Sequence, residues 1–416
     1  MALSYIWLSF FLIAFLIAFV KWAFLHDPMI FKMITDGIFK SAGDSVDLSL
    51  KLIGIMTLFL GFMSIGEKAG AIRFLSRIVG PFFSRLFPEV PKNHPAMGHM
   101  MMNFSANLLG LDNAATPFGL KAMESLQELN PRKEVATNAQ IMFLVLHASG
   151  LTIIPVSIIA MRAAVKPPAL NPTDIFIPCM IATFAATIVA LAVVSFKQKI
   201  NLFQPVVLGW ILGISVIIGL LIAYLKIFLD QAGIEQFSNI LSNGLILLIF
   251  LVFLLGGLWK KINVFDAFID GAKGGFDIAI RIIPYLVAML VAISVLRSSG
   301  AFDYLLNGIS ALFSSLGFKT DFVAALPTAL MKPLSGSGAR GMMIDTMTKY
   351  GADSFAGRLS AVFQGSSDTT FYVVAVYFGS VGIRNTKYAI PAMLLADLAG
   401  MITAVAVAYL FFGSSL

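Results

Sequence analysis

Apolar residues dominate residues 5–25, 173–196, 205–225, 239–258, 279–296 and 388–412. About 20 helical residues span the hydrocarbon core of a bilayer, so each of these runs predicts a transmembrane helix. Residues 50–66 and 135–161 are shorter or interrupted but read as further spans. The first run has no basic residue before it and no small-residue cleavage site after it, so it predicts a retained helix and not a secretory signal.

The pattern is written twice. Asp47, Lys51, Ile53, Gly70 and Ala71 recur as Asp277, Arg281, Ile283, Gly300 and Ala301, each at a spacing of 230. Ser149-x-x-Thr152 recurs as Ser367-x-x-Thr370 at a spacing of 218. Thr173, Ile177, Pro178 and Met180 recur as Thr386, Ile390, Pro391 and Met393 at 213. The order is kept and the spacing drifts slowly, as small deletions would make it do. The chain divides into an N-terminal helix and its connection (1–39), repeat A (40–197), two connecting spans (198–261) and repeat B (262–416). In a membrane chain, duplication of this kind places a solute path between the repeats.

Composition agrees: 58% of the residues are hydrophobic and 12% charged, which excludes an ordinary soluble domain. The net charge of +7 is spread along the chain beside apolar spans, so it marks topology and not a nucleic-acid surface. Cys179 is the single cysteine, which excludes an intrachain disulfide. His26, His94, His99 and His147 have no metal-ligand spacing, so no metal or other cofactor is expected. Lys68, Arg73, Arg77, Arg85 and Lys92, then Lys197 and Lys199, then Lys260, Lys261 and Lys273 all belong in the cytoplasm by the positive-inside rule. That makes repeat A start outside and repeat B inside, an inverted pair if the Gly-rich segment of repeat A is re-entrant. Lys32 and Lys40 fall on the outer side in this scheme, and a parallel repeat is the alternative.

The candidate chemistry sits where apolar helices are interrupted. In repeat A, Asn103 and Asn107 share a helix face; Gly110, Asp112 and Asn113 then break the helix, and Asn113-Ala-Ala-Thr116-Pro117 restarts it. Such a break at membrane depth survives only inside protein or along a water-filled cavity, where freed amides and helix ends can hold a solute. In repeat B, Ser335-Gly336-Ser337-Gly338-Ala-Arg340-Gly341 supplies two hydroxyls and a guanidinium, and its glycines predict tight turns and close approach to a ligand. It lacks the Gly-Lys-Ser/Thr ending of a phosphate-binding loop. A hairpin tip is the plainer reading of this segment, as an ordinary capped loop is of the first.

The second break of repeat B, Gln364-Gly-Ser366-Ser367-Asp368-Thr369-Thr370, puts a carboxylate among apolar residues, which is expensive and marks function or pairing. Asp368 reads as a cation or proton carrier, as a partner for Arg340, or as a helix cap. Repeat A places His147, Ser149 and Thr152 at the matching break. Asp47 with Lys51 and Asp277 with Arg281 read as i,i+4 scaffold pairs; Asp345 and Asp397 are further acids within spans. There is no Ser-His-Asp order, His-Glu-x-x-His or Gly-x-Ser-x-Gly, so no catalytic set is expected.

Residues 107–123, Asn-Leu-Leu-Gly-Leu-Asp-Asn-Ala-Ala-Thr-Pro-Phe-Gly-Leu-Lys-Ala-Met, closely resemble the spore maturation protein A family. Lys332-Pro-Leu-Ser-Gly-Ser-Gly-Ala-Arg-Gly-Met342 with Gln364-Gly-Ser-Ser-Asp-Thr-Thr-Phe-Tyr372 closely resembles the spore maturation protein B family. The chain looks like a fusion of the two, each half similar to a nucleoside recognition or gate domain. The resemblance implies an all-α polytopic inner-membrane protein with two gate-like repeats and broken or re-entrant helices. The expected function is a secondary permease for a small polar or anionic, nucleoside-like solute, with membrane lipid, that solute and a second copy of the chain as partners. A non-transporting scaffold or valve in envelope or spore maturation is the alternative.

Overall fold

The computed structural model describes residues 2–91, 93–110 and 112–413; the side chains of residues 2–3, 112–114, 231, 235, 279 and 281 lie outside the description. The described residues form helices and no strand, apart from one isolated bridge between Val135 and Asn385. Seven of the helices are long and apolar enough to cross a bilayer.

Helix α1 (Ala2–Phe24) precedes repeat A. Repeat A comprises the 40-residue α2 (Ile30–Ala69), amphipathic α3 (Ala71–Leu86), a hairpin of α4 (Pro95–Leu108) and α5 (Asp112–Glu128), the interrupted pair α6 (Asn138–Ala148) and α7 (Val156–Ala164), and the long α8 (Phe176–Gln198). Two spans follow, α9 (Pro205–Phe228) and α10 (Gln231–Trp259). Repeat B reproduces the plan. Its α11 (Val264–Arg281) and α12 (Ile283–Ser298) together match α2, and α13 (Ala301–Ser315) matches α3. A hairpin follows, built from a 3-10 turn (Asp321–Ala325), α14 (Leu326–Met331) and α15 (Gly336–Tyr350). Then come the interrupted α16 (Phe355–Gly365) and α17 (Thr370–Val373), the latter continued by a π turn (Val374–Phe378), and finally α18 (Ala389–Phe412).

The duplicated glycines explain the first joint of each repeat. Gly70 and Gly300 have φ of 95° and 84°, left-handed values that cost a β-carbon-bearing residue and let a helix stop and turn at once. A span therefore ends and an amphipathic helix begins at both positions.

The repeats meet through corresponding elements that run antiparallel. Along α2 and α11–α12, Lys68 bonds Asp270 at 2.6 Å, Gly61 lies under Phe268, Gly275 lies against Thr57, and Gly37 lies against Ser294 and Ser298. Gly271 and Gly275 sit so close to the α2 backbone that a Cβ at either would come within 2.6 Å of it. Small residues four apart let helices approach this closely, and packing of this kind holds membrane helices together where lipid removes the hydrophobic drive. In α8 and α18, Gln198 Nε2 donates to Tyr388 Oη at 2.9 Å, and Gly400 packs on Ala186.

Loops exchange in the same way. The α5–α6 loop of repeat A holds the last loop of repeat B, with Glu134 O accepting from Arg384 N and Asn385 N at 3.0 Å each. At the opposite end the α7–α8 loop of repeat A receives the α15–α16 loop of repeat B. Arg162, 0% exposed, donates to Asp174 at 2.8 Å, to Asp353 at 3.3 Å and to Ala352 O at 2.7 Å, while Arg358 donates to Asp174 at 2.7 Å.

Basic residues collect at one end. Gly256 at the end of α10 packs on Ala69 at the end of α2, and Phe82 of α3 meets Trp210 at the start of α9. Lys68, Lys197, Lys199, Lys260 and Lys261 therefore share a side, opposite the N-terminal half of α2 with Lys32 and Lys40. One expectation is corrected: Asp47 pairs with Lys166 at 2.9 Å rather than with Lys51, because the α7–α8 loop delivers an ammonium directly to it. Residues 135–161 are interrupted as their sequence predicts, with the break at 149–155. The Arg281 side chain and Lys92 lie outside the described residues.

Arg162 is predicted to be the most sensitive charge in this scaffold. Arg162→Met strands a buried carboxylate and unpairs several carbonyls, which costs about 3–5 kcal/mol. Thermal unfolding of the purified protein should register that loss; a variant as stable as the parent would show that Arg358 alone neutralises Asp174.

Candidate functional site

Four helix interruptions converge at the boundary between the repeats. In repeat A the chain doubles back after α4: Asn103 Nδ2 donates to Ala115 O at 2.6 Å, and His99 Nδ1 lies 3.0 Å from Ser125 Oγ, so α4 and α5 run antiparallel. Gly110 at the tip has φ 71°, and a Cβ there would come within 2.2 Å of Ile154 O. The hairpin tip is thereby pressed onto the gap between α6 and α7, where Ile153 N donates to Leu108 O at 2.8 Å. In repeat B, Phe371 N donates to Pro333 O at 3.1 Å, which presses the second hairpin onto the gap between α16 and α17. Asp368 N donates to Ala148 O at 2.7 Å and joins the two gaps across the repeat boundary. The hairpin tips are linked through the interrupted helices.

Side chains of both repeats line this junction. His147, at the last turn of α6, is 5% exposed. Its Nδ1 lies 3.0 Å from Asn103 Oδ1 and 2.8 Å from the Asn107 side-chain amide, so the two asparagines do share a face and that face is spent on one imidazole. Its Nε2 lies 3.9 Å from an Asp368 carboxylate oxygen. The Asp368 side chain is 49% exposed, which corrects the expectation of a carboxylate enclosed in an apolar span: the missing turns between α16 and α17 open the backbone around it. Its other oxygen accepts from Thr369 N at 2.7 Å.

Tyr377 completes the cluster. Its ring stands 4.7 Å from the His147 ring, and it adjoins Asn103, Thr116 and Gly119, where a Cβ would come within 2.4 Å of it. The sequence signal for Tyr377 is weak, because it lies in an apolar stretch resembling a lipid-facing span. The π turn at Val374–Phe378 re-aims it, and such turns concentrate at functional sites.

The remaining candidates divide. Thr370 Oγ1 donates to Asp397 at 2.6 Å; Asp397 is 2% exposed, with buried Lys332 near enough to interact electrostatically. Ser367 is a second hydroxyl beside Asp397, whereas Gln364 Oε1 is buried without a hydrogen-bond partner among the described residues. Ser149, Thr152 and Ser366 instead donate to Val145 O, Gly150 O and Phe363 O and so stitch up helix ends. Ser335 caps α15 by accepting from Gly338 N at 3.0 Å, with Ser337 Oγ at 3.2 Å from its hydroxyl. Gly336, Gly338 and Gly341 are helical, which corrects their reading as turn residues: Thr369, Met331 and Met289 occupy the space their missing side chains leave. Arg340 lies half-buried on the first turns of α15. Asp345 forms a half-buried ion pair with Arg297. The side chains of Asp112 and Asn113 lie outside the described residues.

Beside Asn107 and Gly150 a cavity of about 140 Å³ opens between α3, α4, α8 and α9, with Phe104, Phe184 and Trp210 on its walls. Among the described residues no cluster of three His, Cys, Asp or Glu side chains has the geometry to hold a metal ion.

The model of the gate family, described as nucleoside recognition, matches residues 49–165 and 279–384, more than half of the chain and both sets of interruptions. Spore maturation protein B of Bacillus subtilis (strain 168) is 47% identical over 180 residues, 43% of this chain and 99% of that protein. Spore maturation protein A of the same organism is 39% identical over 160 residues, 38% of this chain and 81% of that protein. No solved structure matches the chain at a significant level. Two matched segments on an all-helical scaffold with seven apolar spans place the chain in the gate family, as a multi-pass membrane protein related to spore maturation proteins A and B.

Proposed function

We propose that the chain is a secondary permease of the cytoplasmic membrane that carries a small polar or anionic solute between two inverted gate-like repeats. The observation that carries this reading is the hydrogen bond from Asp368 N to Ala148 O. It joins the interrupted helices of both repeats at one place, with His147, Asn103 and Asn107 on one side and Asp368 on the other. The antiparallel pairing of α2 with α11–α12 and of α8 with α18 supports inversion, since a two-fold axis across the helices relates partners that run in opposite directions. The basic end supports a cytoplasmic face holding Lys68, Lys197, Lys199, Lys260 and Lys261.

The solute class follows from what the junction leaves to be satisfied. Buried polar atoms are nearly always partnered. Gln364 Oε1 lacks a partner among the described residues, and a bound solute supplies it. Arg340 and the first turn of α15, whose amides face a capped helix start, favour an anionic group. The family model that matches both repeats is described as nucleoside recognition, which brings a nucleoside-like molecule within this class. Asp368, half-exposed and facing His147, is the coupling group in this reading. The names of the two relatives favour a second reading, a membrane factor in envelope maturation that moves no solute.

The readings separate in proteoliposomes. A panel of nucleosides, nucleobases and small carboxylates, with and without a proton or sodium gradient, should contain a solute that is accumulated; absence of uptake for every member, in protein that still binds one of them, supports the non-transporting role. With that solute in hand, Asp368→Asn is predicted to abolish gradient-driven accumulation while sparing solute exchange, because exchange needs no net movement of the coupling ion. Full accumulation by the Asn variant would remove Asp368 from coupling.

Arg340→Gln is predicted to weaken binding of an anionic solute at least tenfold, because a neutral amide does not replace a guanidinium fork. Thermal stabilisation by the solute, compared with the parent, reads the change. Unaltered stabilisation in a folded variant would leave Arg340 a scaffold residue.

A further inference from the structure

Helix α3 carries a feature that its counterpart lacks. It starts at Gly70, immediately after Lys68 closes the span α2, so it lies at the membrane surface. Arg73, Arg77 and Arg85 recur on multiples of four residues and share one face, all exposed. Phe74 and Ile78, 64% and 41% exposed, flank that row. Ile72 and Leu86 are buried, and Phe83 stacks on Phe104 of the hairpin at 4.2 Å. The helix therefore packs by one face and leaves a basic row edged with apolar side chains on the other.

Bases near α3 and near its counterpart α13 are partnered differently. At the end opposite α3, Lys166, Lys349, Arg297 and Arg162 are held by Asp47, Asp303, Asp345 and Asp174. The matching amphipathic helix α13 carries no basic residue, and its Asp303 is taken by Lys349. On α3, no hydrogen bond or ion pair engages Arg73, Arg77 or Arg85 among the described residues. Three unspent guanidinium groups beside exposed Phe74 match a surface that is anionic at headgroup depth and apolar just below it.

We propose that α3 is a docking surface for anionic phospholipid, with headgroup phosphates along the row Arg73, Arg77 and Arg85 and upper acyl chains against Phe74 and Ile78. Because α3 is tied to the re-entrant hairpin by the Phe83–Phe104 stack and by Ser76 Oγ at 3.1 Å from Ser105 Oγ, lipid bound there stabilises the hairpin that lines the solute junction. The proposal stands whether or not a solute is transported.

The test uses the full chain purified in a neutral detergent at low salt. Phosphatidylglycerol is titrated against phosphatidylcholine with the same acyl chains, and thermal unfolding is followed together with the bound lipid seen by native mass spectrometry. Phosphatidylglycerol is expected to raise Tm above the phosphatidylcholine value, with the increment shrinking as salt is added. The triple variant Arg73→Gln, Arg77→Gln, Arg85→Gln should lose the increment, its apparent affinity for phosphatidylglycerol falling on the order of a hundred-fold. The triple Arg→Lys variant should retain most of it. Lys260→Gln with Lys261→Gln, at the same end of the molecule but off α3, should retain all of it. Should the triple Gln variant fail to fold, each single Gln variant is expected to lose part of the increment. Equal response to both lipids, an intact increment in the Gln variants, or an equal rise with inorganic phosphate alone would overturn the proposal; the last would identify a free-anion site instead.

Discussion

A peptide group exposed by a broken helix at membrane depth finds no water, so it must find protein. The architecture follows from how this chain meets that demand. The gap after α6 leaves Ala148 O open, and Asp368 N of the other repeat closes it. The hairpin end at Leu108 is closed by Ile153 N, and the end at Pro333 by Phe371 N. Each interruption is thus satisfied by another interruption. None of them is stable alone, which is why they occur together and why the polar side chains they carry end up in one place.

The duplicated scaffold does not carry duplicated chemistry. Matching breaks place an imidazole on one side and a carboxylate on the other, 3.9 Å apart. The same inequality runs through the ends of the molecule, where Arg162 and its carboxylates lock one pair of loops and backbone bonds from Glu134 lock the other. A symmetric junction could hold a solute, but only an asymmetric one has a defined direction of charge across it. The unequal amphipathic helices α3 and α13 extend that asymmetry to the two membrane faces.

Close approach between the repeats depends on glycines whose role is absence of volume. Gly271 and Gly275 allow α2 and α11 to touch backbone to backbone, Gly61 makes room for the Phe268 ring, and Gly336 and Gly119 leave room for Thr369 and Tyr377 at the junction. The left-handed glycines are a separate group: Gly70, Gly110 and Gly300 stop or turn helices. Residue type alone does not distinguish these uses, because both require only that a β-carbon be missing.

The sequence by itself determined the membrane class, the duplication, the paired first joints at Gly70 and Gly300, and the positions of all four interruptions. These rest on local properties: apolar run length, recurrence at a fixed spacing, and residues that cannot continue a helix. The pairing of Asn103 and Asn107 on one face also came from local periodicity, though not their shared partner His147. Only the tertiary structure decided that Asp368 lies open beside His147, that Tyr377 turns inward on a π turn, that Asp47 meets Lys166, and that Arg162 binds Asp174 and Asp353 from two repeats. Those contacts join residues far apart in the chain, 221 positions for His147 and Asp368, or depend on a register shift within a helix. No local pattern encodes them, because the partner is chosen by how the repeats pack and by which backbone groups the breaks leave to be satisfied.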